Sequence, residues 1–190
     1  MDRAKSELRE RLLAARRARP PAARDEAGAA IAQAVLALPE ITVSSCVATY
    51  LSIGTEPATM HLVESLRSRG VRVVVPVVGD DLDLDWADYV GPDGLAQTGR
   101  GLREPTGPLL GVNAVAAADV VLVPGLAVDE RGMRLGRGGG SYDRALQRVP
   151  ARRPVAVLLY DEELVPVVPS EAHDQPVTMA VTPHRVVRFP

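Results

Sequence analysis

The sequence predicts an α/β fold in three layers, a mainly parallel β-sheet with helices on both faces. Three observations carry this expectation. Two helical stretches open the chain; after them short apolar runs alternate with helix-like stretches; and the runs "VRVVVPVV", "DVVLVPG" and "RPVAVLLY" lack the strict in-and-out alternation of a half-exposed strand. Strands that are apolar on both sides need cover on both sides, which helices on two faces provide. With 190 residues the chain has the size of a single domain, taken as 1–190.

The first helix is read from Leu8, Leu12 and Ala15, spaced for one helical face with charges between them, and it stops at Pro20 and Pro21. Ala23, Ala27, Ala30, Ile31, Ala34 and Leu38 continue the period in a second helix up to Pro39. "CVATYLS" (46–52) then reads as a strand, a helix runs from about Ala58 to Arg69 and closes at Gly70, and "VRVVVPVV" completes a βαβ unit. From Asp80 to Pro108 the chain is rich in Gly, Asp and Pro, and "LDLDWADYV" alternates like an exposed strand, so a hairpin and loop are expected there. Buried strands follow at 119–125 and 153–160, with a helix starting near Ser141 between them, and "TMAVTPHRVVRF" is expected to add a last strand and an edge.

Composition narrows the function. Hydrophobic residues are 46% and charged residues 24% of the chain, the balance of a folded soluble protein. The 22 basic and 24 acidic side chains give a net charge of −2, so no global field draws the protein to nucleic acid or to a membrane surface, and any anion site is local. A single cysteine, Cys46, forms no internal disulfide and no cysteine-based zinc site, fits a reducing cytoplasm, and is expected to be buried in its strand. The N-terminal stretch reads as a helix rather than a secretory signal, and Asp119 and Pro124 interrupt the most apolar later stretch well short of a membrane span.

The chemistry concentrates in "RLGRGGGSYDR" (134–144). Glycine lets backbone N–H groups close on a bound oxyanion and takes positive φ without strain. Arg134 and Arg137 add bidentate donors, and the helix opening near Ser141 turns its positive end toward the same point, so phosphate is the expected ligand. The stretch is neither a Walker A loop, lacking Gly-Lys-Ser/Thr, nor a Rossmann fingerprint, because Ser141 stands where a third glycine belongs. Taken alone, it reads also as a surface connection with solvated arginines.

As a whole, "VPGLAVDERGMRLGRGGGSYDRAL" resembles the signature of the 5-formyltetrahydrofolate cyclo-ligase family, and "KSELR", "YLSIGTEPAT", "VVVPVV", "REP" and "VPSEAHD" extend the resemblance over most of the chain. It implies a NagB/RpiA/CoA-transferase-like fold and the closure of 5-formyltetrahydrofolate to 5,10-methenyltetrahydrofolate with ATP and Mg2+. On that chemistry the formyl oxygen attacks the γ-phosphate, an imino-phosphate forms, and nitrogen 10 then displaces phosphate. Phosphoryl transfer of this kind needs positioning and charge neutralisation more than a protein nucleophile.

The resemblance implies an ATP site of Lys5, Arg9, Arg134, Leu135, Gly136, Arg137, Gly138, Gly139, Gly140, Ser141 and Tyr142, with Arg134, Arg137 and Tyr142 as the catalytic groups. Leu51, Glu56, Arg137, Gly138, Gly139, Gly140 and Ser141 would hold the folate, Glu56 accepting hydrogen bonds from the pterin and Leu51 offering an apolar wall. Asp143 and Asp174 would hold Mg2+, with Asp129 a weaker third candidate that reads also as a loop-shaping residue. From the residues alone, Lys5 and Arg9 read also as a solvated helix face, Asp143 as a helix-start residue, Asp174 as a turn residue and Glu56 as a cap before Pro57. His61, His173 and His184 have no metal spacing and are expected at the surface or in polar networks.

Two positions depart from the family pattern. Ser141 stands where an aromatic usually precedes Tyr-Asp, and Arg100 replaces another aromatic, so that stacking falls to Tyr142, Tyr89 or Trp86. These departures keep open a related ATP-dependent ligase acting on another substrate; a non-catalytic nucleotide or folate binder is a separate alternative, against which the set Arg134, Arg137, Asp143 and Asp174 argues. The partners expected are 5-formyltetrahydrofolate and ATP, with no nucleic acid and no membrane, and the protein is expected to be a monomer.

Overall fold

The computed structural model describes residues 2–98, 102–171 and 173–190. Three helices open the chain: α1 (Asp2–Ala18), α2 (Pro21–Leu36) and the single turn α3 (Pro39–Thr42). Prolines at the first helical position start α2 and α3, where a missing N–H costs nothing. Strand β1 (Cys46–Ala48), helix α4 (Met60–Ser68) and strand β2 (Arg72–Val78) form the expected βαβ unit. Next come β3 (Leu84–Asp88), the small hairpin β4 (Leu95–Gln97) with β5 (Arg103–Pro105), and β6 (Val120–Pro124). A second small hairpin, β7 (Ala127–Val128) with β8 (Arg134–Leu135), leads through the glycine loop into α5 (Ser141–Leu146). Strands β9 (Val155–Leu158), β10 (Met179–Val181) and β11 (Val186–Arg188) complete the chain.

The main sheet has seven strands in the order β11-β10-β9-β6-β1-β2-β3. Its five central strands are mutually parallel, and only the two edges, β3 and β11, run antiparallel to their neighbours. Alternate residues divide between two cores. Val47, Val73, Val75, Val120, Leu122, Ala156, Leu158, Met179 and Val181 pack beneath α2 and α4, whereas Ala48, Val74, Val121, Val123, Val155, Val157 and Ala180 pack on the other side with Ala145 and Leu146 of α5. Both sets are apolar, which is why these strands show no alternation in sequence. Helix α1 lies apart from both faces, seating Leu12 against Leu126, Ala127, Leu135 and Val168.

Several expectations are corrected. Regular pairing in the first strand ends at Ala48, not near residue 52, because Ser52 and Thr59 bond to each other and Thr59 Oγ1 donates to Tyr50 O, folding the chain into a loop. "LDLDWADYV" does form a strand hydrogen-bonded to β2, but it is not exposed: Leu84 and Trp86 are buried in the second core. Cys46, at the start of β1, is half-buried rather than buried. The substitution expected at Arg100 lies outside the described residues.

Candidate active site

A cavity of about 480 Å³ opens at the carboxyl ends of β1, β2 and β6. It sits where strand order reverses: from β1 the chain proceeds outward to β2 on one side and later to β6 on the other. Loops leaving neighbouring strands in opposite directions part at such a point, which leaves room for a ligand.

One wall comes from α1. Lys5, Arg9, Leu12 and Arg16 fall on one helical face, and that face turns inward, leaving Lys5 only 5% exposed. Lys5 Nζ donates to Asp174 Oδ2 at 2.7 Å and to Glu171 Oε2 at 3.2 Å, and Arg9 Nε donates to Gly136 O at 3.0 Å. The solvated-face reading of Lys5 and Arg9 is therefore corrected for Lys5, which burial alone would discharge but which the two carboxylates keep charged, raising its pKa.

The glycine loop forms the floor. Gly138 and Gly140 hold φ of +107° and +69°, conformations that side chains rarely adopt. Arg134 is buried, donating through Nη2 to Asp143 Oδ1 at 2.9 Å and through Nη1 to Pro124 O at 3.2 Å, while its Nε has no partner. Helix α5 is only six residues long, so the glycine backbone and the arginines offer an anion more than the helix end does. Leu135 is buried against α1, holding the loop in place through its side chain.

The opposite wall is the loop after β1. Glu56 is 7% exposed; Ile53 N–H donates to its Oε2 at 2.9 Å and Arg137 Nε to its Oε1 at 3.2 Å. Burial pushes its pKa up, opposed by Ile53 N–H and by Arg137 and Arg16. Leu51, Ser141 and Tyr142 line the same space, and burial lifts the Tyr142 hydroxyl far above the usual tyrosine range, so it stays protonated. Trp86 and Tyr89 do not line the cavity; the aromatic rings that do are Tyr142 and Tyr50. Of the three rings expected to replace the missing family aromatics, only Tyr142 reaches the cavity, because Trp86 and Tyr89 are buried in the two cores.

The two carboxylates expected to hold Mg2+ both reach the cavity. Hydrogen bonds engage Oδ1 of Asp143 and Oδ2 of Asp174, and among the described residues none engages the other oxygen of either. Burial opposes the charge on Asp174, but Lys5 and the N–H of Glu171 outweigh it and hold its pKa below the usual carboxylate range. Two hard oxygen donors fit a cation that keeps water and phosphate oxygens in its shell. No cluster of three or more metal-ligating side chains occurs among the described residues. Asp129 is not in the cavity: it is a loop-shaping residue, accepting from the N–H groups of Arg131, Met133 and Val168. His61 is exposed, His184 pairs with Asp161, and His173 stands at the cavity mouth 3.6 Å from Glu171 and Asp174.

Three contributors escaped the sequence reading. Glu171 shares Lys5 with Asp174, Tyr50 lines the cavity, and a buried pair of Arg16 with Glu163 anchors α1 behind it. Arg16 Nε and Nη2 reach Glu163 at 2.6 and 2.8 Å, and Nη2 also donates to Gly125 O at 2.6 Å. The available signal for Arg16 was its phase: it extends the row of Lys5, Arg9 and Leu12.

Fold and cavity together define an open α/β protein with a cavity at the switch point of a parallel sheet. Within that class, the family model of the 5-formyltetrahydrofolate cyclo-ligase family matches residues 1–183, and the chain belongs to that family. It is 39% identical over 188 residues to the 5-formyltetrahydrofolate cyclo-ligase of Mycolicibacterium smegmatis, with 96% of this chain and 95% of the relative covered. To that of Escherichia coli K12 it is 33% identical over 174 residues, covering 90% and 96%. Among solved structures, the 5,10-methenyltetrahydrofolate synthetase of Aquifex aeolicus matches with a TM-score of 0.84 at 29% identity, over 97% of this chain and 92% of that one. A Mycoplasma pneumoniae synthetase shares the fold, with a TM-score of 0.74 at 20% identity over 95% and 99%. Family membership makes the protein an enzyme, a ligase of folate and one-carbon metabolism.

Proposed function

We propose that the protein cyclises 5-formyltetrahydrofolate to 5,10-methenyltetrahydrofolate, consuming ATP with Mg2+ and releasing ADP and phosphate. The observation that carries this reading is the bond between Arg137 of the glycine loop and the buried Glu56 of the opposite wall, which puts a phosphate-type cradle and a pterin-type acceptor in one cavity.

On this reading Lys5, Arg9, Arg134 and Arg137 surround the triphosphate, and the backbone N–H groups of Gly138 to Gly140 close on its oxygens. Lys5 and Arg134 are paired with Asp174 and Asp143 in the structure, so they turn from carboxylate to phosphate when nucleotide enters. Asp143 and Asp174 would hold Mg2+, which neutralises phosphate charge when bound. Glu56 and Leu51 fix the folate so that its formyl oxygen lies in line with the γ-phosphorus. Attack by that oxygen forms the new P–O bond as the bond to ADP breaks; nitrogen 10 then adds to the activated carbon, loses its proton, and phosphate departs with the former formyl oxygen. Arg134 and Arg137 stabilise the charge that builds on the transferred group, and the neutral Tyr142 hydroxyl can donate to it.

The fold is assigned to the NagB/RpiA/CoA-transferase-like group on the resemblance and the parallel core. A monomer working in the cytoplasm, without nucleic-acid or membrane partners, is part of the same proposal; the net charge of −2 supplies no global field for a polyanion. The test is to mix purified protein with 5-formyltetrahydrofolate, ATP and magnesium and follow the methenyl-folate absorbance together with ADP release. Equal amounts of both products are expected; ATP binding without either would overturn the assignment.

A further inference from the structure

Among the buried side-chain polar atoms that lack a hydrogen-bond partner, those of Arg134 and Tyr50 are the ones belonging to residues that line the cavity. Arg134 has its phosphate-site role. Tyr50 has none assigned, yet it stands at the start of the loop that carries Leu51 and Glu56, 2% exposed, with its hydroxyl unpaired. A buried hydroxyl left without a partner is costly, and one belonging to a cavity-lining residue gains a partner when a polar ligand meets it.

We infer that Tyr50 is a further substrate-contacting residue, its ring forming part of the folate wall and its hydroxyl donating a hydrogen bond to the bound pterin. The assignment rests on the folate reading given above. Hydrogen bonds on both sides fix the backbone at Tyr50, since Thr59 Oγ1 donates to its carbonyl at 2.8 Å and Ser52 and Thr59 lock the loop beyond it. Its hydroxyl lies within electrostatic reach of Glu56 and Tyr142, which line the cavity, and of the buried Arg16–Glu163 pair behind it. Burial, reinforced by Glu56, lifts its pKa well above the ordinary tyrosine value, so it remains a donor at neutral pH. Glu56, as a carboxylate, only accepts. A donor beside an acceptor matches the edge of a pterin, where N–H groups stand next to a carbonyl and ring nitrogens. Tyr50 also supplies an aromatic surface in a cavity where Ser141 occupies one position expected to be aromatic and where Trp86 and Tyr89 are absent.

Tyr50→Phe removes the oxygen and keeps the ring. The expected result is a KM for 5-formyltetrahydrofolate raised about tenfold, equivalent to about 1.4 kcal/mol, with KM for ATP within about twofold and a melting temperature unchanged or higher. Tyr50→Leu, which also removes the ring, should raise the folate KM further; should that variant fail to fold, Tyr50→Phe still decides the matter. A folate KM equal to that of the unaltered protein, or a parallel loss for ATP and folate, would overturn the assignment. Absence of methenyl product from the unaltered protein would instead sink the folate reading, and this contact with it.

Discussion

Arg137 and Glu56 face each other across the cavity with opposite standing in the fold. The Arg137 side chain is 45% exposed and that of Glu56 only 5%. An ion pair with one wet partner adds little stability, so Arg137→Ala should change the unfolding free energy by no more than about 1 kcal/mol. Its effect on catalysis should be larger, lowering kcat by about a hundredfold as a donor to the transferred phosphate is lost, which steady-state kinetics with varied ATP would read. Glu56 behaves differently because burial raises its pKa above the free-glutamate value of 4.5. Its contribution to stability is fully present below that value and is lost as pH rises through the raised pKa, where a buried charge must form. Relative to the unaltered protein, Glu56→Gln should therefore gain stability between pH 4 and pH 7 in urea titrations, while its folate KM rises more than its ATP KM. No pH-dependent difference between the two unfolding curves would remove Glu56 from the buried side of the site.

At the scale of elements, α1 and the turn at Asp129 each hang on one buried charge. The Arg16–Glu163 pair is 1% exposed on both sides, and burial raises the Glu163 pKa against the pull of Arg16. Removing one partner leaves an uncompensated buried charge, so Arg16→Met should lose about 3–5 kcal/mol, and the double variant with Glu163→Met should recover much of it. Recovery of stability without recovery of ATP affinity would show that the pair also holds Lys5 and Arg9 in register. Asp129 is almost fully buried, and burial works against its charge, but the Arg131 guanidinium and the N–H groups of Val168, Met133 and Arg131 hold its pKa below 3.8. Its stabilisation is present above that value and lost as pH falls through the lowered pKa. Asp129→Asn should cost about 1–3 kcal/mol at neutral pH and flatten the acid limb of the stability curve, as denaturation between pH 7 and pH 3 would reveal. The sequence showed an aspartate before a glycine-containing turn; which donors it satisfied depended on Val168, 39 residues away.

For the molecule as a whole, the cavity draws its walls from α1, the β1 loop, the glycine loop and the segment around Asp174, so a ligand that fills it ties together distant parts of the chain. ATP with magnesium at a hundredfold above its Kd should stabilise the protein by about 2.7 kcal/mol. Lys5→Ala should remove most of that gain at the same nucleotide concentration, as thermal unfolding with and without ATP would report. A gain unchanged by the substitution would place the nucleotide away from α1.

The order of the main helices and strands was legible in the residues because it follows from local chemistry, whereas the turn α3 and the short β7–β8 hairpin were not. Proline stops, glycine turns and apolar runs act over a few positions, and a strand buried on both faces announces itself by lacking alternation. The glycine loop and its arginines were legible for the same reason, since the backbone freedom and the charge lie side by side. Where side chains meet was a different matter. Arg137 finds Glu56 across 81 positions and Lys5 finds Asp174 across 169, because strand order and the packing of α1 bring them together. Sheet pairing likewise put Trp86 into the core, while Tyr50 lines the cavity. Sequence by itself determined which elements form and which chemistry the loop can offer; tertiary structure decided which groups share the site, because burial is summed over the whole chain and no short stretch contains it.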